Sequence, residues 1–416
     1  MLTEAAGSPF AAVDPSTVTF DPTGQHAYVT SRDEIDITSY DVNVTTGAMT
    51  RRYSMTSRSQ ASNLNTSTIA MVQGTAPVAF TPRFAYLTNT TNSVTALAIN
   101  PTTGVPSIAS GSPFTLPGSP LAIAVNPAGT VALSVNKDGS HTVTAHKVGA
   151  NGVLTPIGSP VSTGVGALAA AISVDPTGRF AYTANFTGNS ISGFTIDSTG
   201  ALTLMSGSPV AAGTNPVFLA INPHGKFVYV ANKSSNDISL YTIDPLTGAL
   251  TPYSGGAFGA GTNPQDVATD PSGKFLYALN VGSRTVTAYA INPLNGTLSV
   301  AAGTPVTTGL DPIAIAAEPG GKFVYVANSS SASISAYTID AASGALTAIA
   351  GSPFASGLNP GPLEIDPNGN FLYLPSTGLS QLLTYSIDPT AGALKPTGNP
   401  LTVPGTDAFT LWGTAQ

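Results

Sequence analysis

The 416-residue chain contains no cysteine and few charged residues. The absence of cysteine excludes disulfide bonds and thiolate metal sites, and it gives no indication of the redox compartment. Asp, Glu, Lys and Arg make up 8% of the residues, against about 25% in an average soluble domain. The polar surface must therefore come from Ser, Thr and Asn, and this composition favours an extracellular or cell-surface protein over a cytosolic one.

Basic residues and long apolar segments are also scarce. The 14 Lys and Arg leave a net charge of −7, which disfavours nucleic acid as a partner because phosphate binding requires clustered cations. Apolar runs such as residues 165–174 fall far short of the roughly 20 residues that span a bilayer, so we expect no transmembrane segment. The first ten residues contain neither the basic nor the apolar part of a signal peptide.

Glycine and proline are abundant, and one octapeptide occurs twice. The chain has 43 Gly and 34 Pro, and "GKFVYVAN" occurs at 225–232 and at 321–328. A later element of the repeat reads "TGAL" in its clearest copies, and the glycine of this element recurs every 48 residues from Gly104 to Gly392. An earlier copy at Gly47 precedes Gly104 by 57 residues, so the first repeat carries an insertion. Such a fixed period predicts a repeat architecture.

The sequence pattern of each repeat predicts four short antiparallel strands. Apolar segments such as "VFLAIN" and "FVYVAN" are joined by Asn/Asp-Pro-x-Gly turns, in which Pro presets φ and Gly adopts a positive φ. Four strands per 40–50 residues indicate a β-propeller blade. We therefore predict an all-β propeller of eight blades of about 48 residues, with seven blades as the alternative. Phe227, Tyr229, Phe323 and Tyr325 are expected to be buried between adjacent blades.

The predicted domain organisation is one propeller over residues 1–416, with three irregular segments. Residues 51–74 form the insertion in the first blade. Residues 1–12 align with the end of a repeat, and 405–416 align with the start of one, so each segment is predicted to be a strand without a blade of its own. Unpaired strands seek an edge. Three outcomes are open: ring closure by the N-terminal strand, a longer propeller array of which this chain is a fragment, and pairing between molecules. Because ring closure accounts for only one of the two strands, we expect that at least one end pairs with a second copy of the chain and builds a homopolymer.

The segments "FVYVAN", "FAYTAN" and "FAYLTN" resemble the YVTN-type propeller repeat, and the wider layout is similar to lactonase-type propellers such as 6-phosphogluconolactonase. This resemblance implies lactone hydrolysis at a Gly-Pro-Arg-His element that begins a first strand, with a Glu after the second strand. The chain departs from both features. Its first strands lack Arg and His, and Lys233, Val281 and Ser329 stand where the Glu is expected. The resemblance therefore indicates the fold more firmly than the activity.

The candidate ligand-binding residues are amides and carboxylates at one end of the strands. Four precede a proline before a first strand, and five end a second strand. Together they would form two rings suited to a polyhydroxy ligand such as a glycan, although Asx residues in loops more often satisfy backbone groups. These nine residues are Asn215, Asn263, Asp311, Asn359, Asn136, Asn185, Asn232, Asn280 and Asn328.

A candidate cation site follows the second strand of the first repeat. Asp33, Glu34 and Asp36 supply the oxygen ligands that Ca²⁺ prefers, but acidic loops are more often only solvated. No other cofactor is expected. We predict a non-catalytic extracellular propeller that binds or self-assembles, with a lactonase-type hydrolase and a sensor or scaffold domain of a longer protein as alternatives.

Overall fold

The computed structural model divides the chain into two compact units, Met1–Pro77 and Val78–Gln416. This division differs from the predicted single domain over residues 1–416. Side chains are described for residues 84–88, 93–100, 102–118, 120–136, 139–164, 168–376, 379 and 381–402, and strand backbone alone for 15–20, 26–31, 36–42, 49–56, 89 and 406–412. None of these residues belongs to a helix that is long and apolar enough to cross a membrane.

The first unit contains one antiparallel sheet, formed by the first repeat. Its four strands follow the order of the chain: Pro15–Phe20, His26–Ser31, Asp36–Val42 and Met49–Thr56. The predicted insertion at 51–74 begins within the last of these strands, and its residues 57–74 lie outside the described residues. The predicted N-terminal strand at 1–12 lies outside them too.

The second unit contains seven antiparallel sheets, which we name blades 1 to 7 in chain order. Each has an inner, a second, a third and an outer strand. The second and third strands are rich in aromatic and β-branched residues, which fit a pleated and buried surface. The second strands are Phe84–Asn89, Val131–Asn136, Phe180–Asn185, Phe227–Asn232, Phe275–Asn280, Phe323–Asn328 and Phe371–Ser376. The third strands are Ser93–Ile99, Thr142–Val148, Ser190–Ile196, Asp237–Ile243, Thr285–Ile291, Ser333–Ile339 and Gln381–Ile387.

The inner and outer strands complete each blade. The inner strands of blades 1 to 7 are Thr406–Trp412, Pro120–Val125, Ala169–Val174, Pro216–Ile221, Pro264–Thr269, Pro312–Ala317 and Glu364–Ile365. The outer strand of blade 2 is continuous, whereas in the other blades it is two short segments that both pair with the third strand. In order they are Pro106–Ile108 with Phe114–Thr115, Leu154–Ser162, Leu202–Leu204 with Val210–Ala211, Leu250–Pro252 with Phe258–Gly259, Leu298–Val300 with Val306–Thr307, Leu346–Ala348 with Phe354–Ala355, and Leu394–Pro396 with Leu401–Thr402.

The seven blades form a closed ring around a central channel. Their inner strands lie side by side from blade 7 through blade 1 to blade 6, and blade 6 packs on blade 7 through a shared apolar cluster. The all-β propeller is thus confirmed, with the alternative count of seven blades. The blade that was predicted for the first repeat corresponds to the four-stranded sheet of the first unit, residues 15–56.

The C-terminal strand closes this ring. Thr406–Trp412 pairs antiparallel with Phe84–Asn89 and supplies the inner strand of blade 1. The segment 405–416, predicted as a strand without a blade, therefore contains a strand that is paired within the same chain. This pairing gives Phe84–Asn89 a partner strand on its inner edge, and the predicted homopolymer stays a prediction.

Aromatic residues of the second strands fill the spaces between blades. Phe227, Tyr229, Phe323 and Tyr325 are 0–4% exposed, which confirms the prediction that these rings are buried. Each lies in an apolar cluster that joins two neighbouring sheets. The apolar core of the propeller is therefore a series of interblade layers rather than one central mass.

A hydrogen bond from tyrosine to glycine joins neighbouring blades at six of the seven interfaces. The Tyr229 hydroxyl donates to the carbonyl oxygen of Gly296 in the next blade at 2.8 Å. Tyr373 of blade 7 donates in the same way to Gly104 of blade 1 at 2.8 Å, across the ring closure. The same contact joins Tyr86 to Gly152, Tyr182 to Gly248, Tyr277 to Gly344 and Tyr325 to Gly392.

Candidate functional site

The strand ends and turns define two faces of the ring. The loops before the inner strands and after the second strands lie on one face, which we call the loop face. The turns after the inner strands and after the third strands lie on the other, which we call the turn face. This assignment follows from the antiparallel order of the four strands in each blade. All nine predicted ligand-binding residues belong to the loop face.

The five predicted asparagines at the ends of second strands are buried within their blades. Asn136, Asn185, Asn232, Asn280 and Asn328 are at most 1% exposed. In blade 3 the side-chain amide donates to two serine hydroxyls of the third strand, at 3.1 and 2.7 Å. In blades 5 and 6 the amide oxygen also accepts a backbone N–H from a glycine of the preceding loop. In these three blades the buried amide bonds to the third strand or to the loop of its own blade, and ligand binding by the five asparagines stays a prediction.

The four predicted residues that precede a proline have a backbone function. Asn215, Asn263, Asp311 and Asn359 have φ values of 48–54°, a left-handed conformation that Asn and Asp tolerate better than most residues. The first two are half-buried, whereas Asp311 and Asn359 are exposed. Four of the nine predicted ligand-binding residues are thus at least partly accessible to solvent.

The predicted cation site is only partly described. Asp36 begins the strand Asp36–Val42, while Asp33 and Glu34 lie outside the described residues. The Ca²⁺ site therefore stays a prediction. Within the part of the chain whose side chains are described, no three His, Asp or Glu side chains are grouped closely enough to hold a metal ion.

The inner strands whose side chains are described carry two carboxyl groups that the sequence analysis missed. Asp266 occupies the position of Ala314 in the next blade, and Glu364 that of Ala316, as the strand registers show. The inner strands otherwise consist mostly of apolar and small residues. An Asp or Glu in an otherwise apolar inner strand was the sequence signal that could have indicated a site in the channel, because the inner strands border the channel.

Asp266 is fixed between two blades. Its side chain is 6% exposed and accepts the backbone N–H of Ile315, in the next inner strand, at 3.0 Å. It also accepts the N–H of Val267 at 2.7 Å. Burial raises the pKa of Asp266 to about 7, and these two hydrogen bonds counteract part of that rise.

Glu364 is the more accessible of the two. It is partly exposed, and none of the described residues donates a hydrogen bond to it. Burial raises the pKa of Glu364 to about 8, and the negative charge of Asp266 adds to the rise. The two carboxyl groups, which lie two blades apart, are thus within electrostatic reach of each other.

The composition of the inner strands limits the charges that they bring to the channel. None of the seven inner strands described above contains Lys, Arg or His. The channel therefore differs from the Arg- and His-bearing first strand that the resemblance to lactonase-type propellers implied. Two of its carboxyl groups, Asp266 and Glu364, have pKa values near neutrality, and such groups can donate or accept a proton at physiological pH.

Comparison with known proteins agrees with this architecture. The family model described as "Lactonase, 7-bladed beta-propeller" matches residues 160–257 and 300–410. The chain belongs to this family. No curated protein matches the chain.

Solved structures of the same architecture cover most of the chain. A putative 6-phosphogluconolactonase from Bacteroides fragilis superposes with a TM-score of 0.70 and 22% identity, over 80% of this chain and 98% of that one. The periplasmic gluconolactonase of Pseudomonas aeruginosa superposes with a TM-score of 0.67 and 18% identity, over 80% of this chain and 99% of that one. At these identities the likeness establishes the fold alone.

Proposed function

We propose that this propeller hydrolyses lactones in its central channel, with Glu364 as the group that meets the substrate. The observation that carries the proposal is the pair of channel carboxyls, Asp266 and Glu364, in a member of the lactonase family. This function is the alternative of the sequence analysis, and family membership favours it over a non-catalytic module.

The raised pKa values suit the chemistry of ester hydrolysis. Opening a lactone requires a base that takes a proton from water and an acid that protonates the leaving oxygen. With pKa values of about 7 and about 8, the coupled pair holds close to one proton between these pH values. Glu364 exchanges its proton with water and substrate, while burial and the charge of Asp266, which is fixed by Ile315, keep the pKa of Glu364 high.

The charges of the channel favour an uncharged substrate. The inner strands contain Asp266, Glu364 and Asp407 and no cationic residue, so a phosphorylated lactone would be repelled and would lack a partner for its phosphate. We therefore propose neutral sugar lactones as the substrate class, in preference to 6-phosphogluconolactone.

The test is hydrolysis of glucono-1,5-lactone and of its 6-phosphate, followed by proton release with the buffer rate subtracted. We expect saturable turnover of the neutral lactone and a fall in kcat/KM of about 100-fold in Glu364→Gln, the size of a typical acid–base contribution. Asp340→Asn, which alters an exposed carboxyl of a turn, is the matched control and should leave turnover unchanged. Wild-type turnover no faster than buffer, or full activity in Glu364→Gln, would refute the proposal.

A non-catalytic binding module is the second candidate, because the Arg, His and Glu set implied by the resemblance is missing. Exposed Asp311 and Asn359 on the loop face are then the residues for a glycan. Binding of a neutral oligosaccharide that is lost in Asp311→Ala, in a protein without lactone turnover, would favour this second function.

A further inference from the structure

An aromatic ring is exposed on the inner strand of blade 4. Phe218 belongs to this strand and is 36% exposed. Each face of the strand packs against a neighbouring blade, and its outer edge pairs with the strand Phe227–Asn232. The exposed part of the Phe218 ring therefore faces the channel. Among the inner-strand residues whose side chains are described, Phe218 is the only aromatic one.

Phe218 is an exception within the repeat. The equivalent residue is Ala122 in blade 2, Ala171 in blade 3 and Ala314 in blade 6, as the strand registers show. An alanine at this position is therefore sufficient for the blade, and the fold does not require a large ring there. Aromatic side chains that line a concave surface are typical of small-molecule sites.

A β-bulge precedes this ring. The register between the inner and second strands shifts between Pro216 and Phe218, so that Val217 is the extra residue. Bulges bend a strand and redirect the side chains that follow, and they are common beside active sites. The same bulge in blade 5 lies between Pro264 and Asp266. Phe218 and Asp266 therefore occupy the same level of the channel, in inner strands that lie side by side.

A side-chain amide stands beside the ring in the next inner strand. Gln265 is the extra residue of the bulge in blade 5 and is partly exposed. No described residue forms a hydrogen bond with its side chain, so both its donors and its acceptor are available to a ligand. A pyranose has apolar C–H faces and a rim of hydroxyl groups. An aromatic face and a free amide are complementary to these two features.

Glu364 lies on the opposite side of the channel from Phe218. The two residues are three blades apart in a ring of seven. Glu364 is equivalent to Ala220 of blade 4, two residues beyond Phe218 in the strand, so it lies about 7 Å nearer the turn face. A sugar ring that stacks on Phe218 can therefore extend its carbonyl group towards Glu364.

We propose that Phe218 and Gln265 form a pyranose subsite in the channel. The Phe218 ring stacks on the apolar face of the sugar, and the Gln265 amide bonds to its hydroxyl groups. Phe218 is then the positioning residue for the lactone that Glu364 hydrolyses. This positioning role rests on the proposed function, whereas binding of the sugar itself does not.

The first experiment measures binding of a sugar that the protein cannot hydrolyse as a lactone. Methyl α-D-glucopyranoside should bind the full chain with a dissociation constant of about 1–10 mM and shift the NMR signals of the Phe218 ring. Phe218→Leu keeps an apolar side chain but loses the flat face, and it should weaken binding about two- to tenfold. Phe218→Tyr keeps the ring and should bind like the wild type.

Two further variants complete this binding experiment. Gln265→Ala should weaken binding about two- to tenfold, because hydrogen bonds to the sugar are lost. Tyr253→Ala is the matched control, since Tyr253 is also 36% exposed and belongs to the same blade, but follows its outer segment Leu250–Pro252. This control should bind the glucoside like the wild type.

The second experiment measures hydrolysis of glucono-1,5-lactone. Phe218→Leu should raise KM about two- to tenfold and change kcat less than about twofold, because stacking stabilises the ground state and the transition state equally. Glu364→Gln should instead lower kcat. A structural role of Phe218 alone would not separate KM from kcat in this way, nor would Phe218→Tyr restore the wild-type KM.

The outcomes separate the subsite from the activity. The subsite is refuted if the glucoside leaves the Phe218 signals of the wild type unchanged, or if Phe218→Leu binds it as tightly as the wild type. A wild type that binds the glucoside at Phe218 but hydrolyses no lactone would refute the proposed hydrolysis and support the subsite. Hydrolysis with the same KM in Phe218→Leu and in the wild type would refute the positioning role.

Discussion

His146 is the buried histidine of blade 2, and it replaces an aromatic residue. Its ring is 0% exposed and lies 2.9 Å from the Ser134 hydroxyl through Nε2. Its Nδ1 has no hydrogen-bond partner among the described residues. Burial lowers the pKa of His146 from 6.5 to about 4, because the protonated ring would lose its hydration.

We expect this histidine to make the fold sensitive to acid. Since its pKa is lower in the folded than in the unfolded state, stability is complete above pH 6.5 and is lost as the pH falls from 6.5 towards 4. The loss attributable to His146 is at most about 3 kcal/mol between pH 7 and 4. The variant His146→Phe, which copies Phe194 of blade 3, should lose less stability over this range. Equal pH dependence of both proteins in urea unfolding would contradict the assignment.

Glu364 affects stability in the opposite pH direction. Its folded pKa of about 8 lies above the ordinary value of 4.5, so the unfolded state ionises first and folding is weakened as the pH rises from 4.5 towards 8. Glu364→Gln cannot ionise and should raise the free energy of unfolding by roughly 1–3 kcal/mol at pH 8, with little gain at pH 4.

The control for this prediction is Asp340→Asn. That exposed carboxyl has a lowered pKa because Ser343 and Ala342 donate hydrogen bonds to it, so the substitution should give no gain at pH 8. A more stable Glu364→Gln protein that no longer hydrolyses lactone would indicate that the channel retains a destabilising group for its function.

Among the elements, the contact of a second strand with the glycine of the next blade sets the blade spacing. A Cβ on Gly296 would lie 2.6 Å from the Phe227 ring, whereas a Cβ on Gly303 would meet nothing within 4 Å. Both glycines have φ of +75°. They therefore provide a matched pair in which backbone strain is equal and only the interblade contact differs.

We expect Gly303→Ala to cost about 1–2 kcal/mol, from the left-handed backbone alone. Gly296→Ala should cost about 1–3 kcal/mol more, because Phe227 must move and the interblade layer is overpacked. Denaturant unfolding of the two variants measures the difference. Equal losses would mean that the glycine is required only for the turn and not for the contact between blades.

At the scale of the whole molecule, the strand Thr406–Trp412 joins the two ends of the ring. Deletion of residues 405–416 removes the inner strand of blade 1 and leaves Phe84–Asn89 with an open edge. We expect a loss of at least about 3 kcal/mol, the cost of one truncated buried aromatic residue, together with aggregation visible by light scattering.

Deletion of residues 413–416 alone is the control, because it leaves the paired strand intact. It should unfold like the wild type. If removal of 405–416 changed neither the unfolding midpoint nor the particle size, the C-terminal strand would not be what holds the ring closed. The predicted pairing of residues 1–12 with a second copy is tested separately by light scattering of a protein without that segment.

The sequence by itself determined the fold class and its local rules. The 48-residue spacing of Gly104 to Gly392 predicted the blades, and the apolar character of both faces of the second strand predicted that Phe227 and Tyr229 are buried. These features depend on residues that are close in sequence and on one interface that recurs between blades. The sequence of a single repeat is therefore enough to predict the strands and their buried residues.

The number of blades and the channel site were decided by the tertiary structure. The strand 406–412 resembles the start of any repeat, and its partner, Phe84–Asn89, is more than 300 residues away in sequence. Asp266 and Glu364 belong to different repeats and gain their raised pKa values only where two inner strands border one channel. Ring closure and the interaction of distant charges depend on which strands become neighbours in the folded protein. A local sequence pattern does not predict which distant strands will be neighbours.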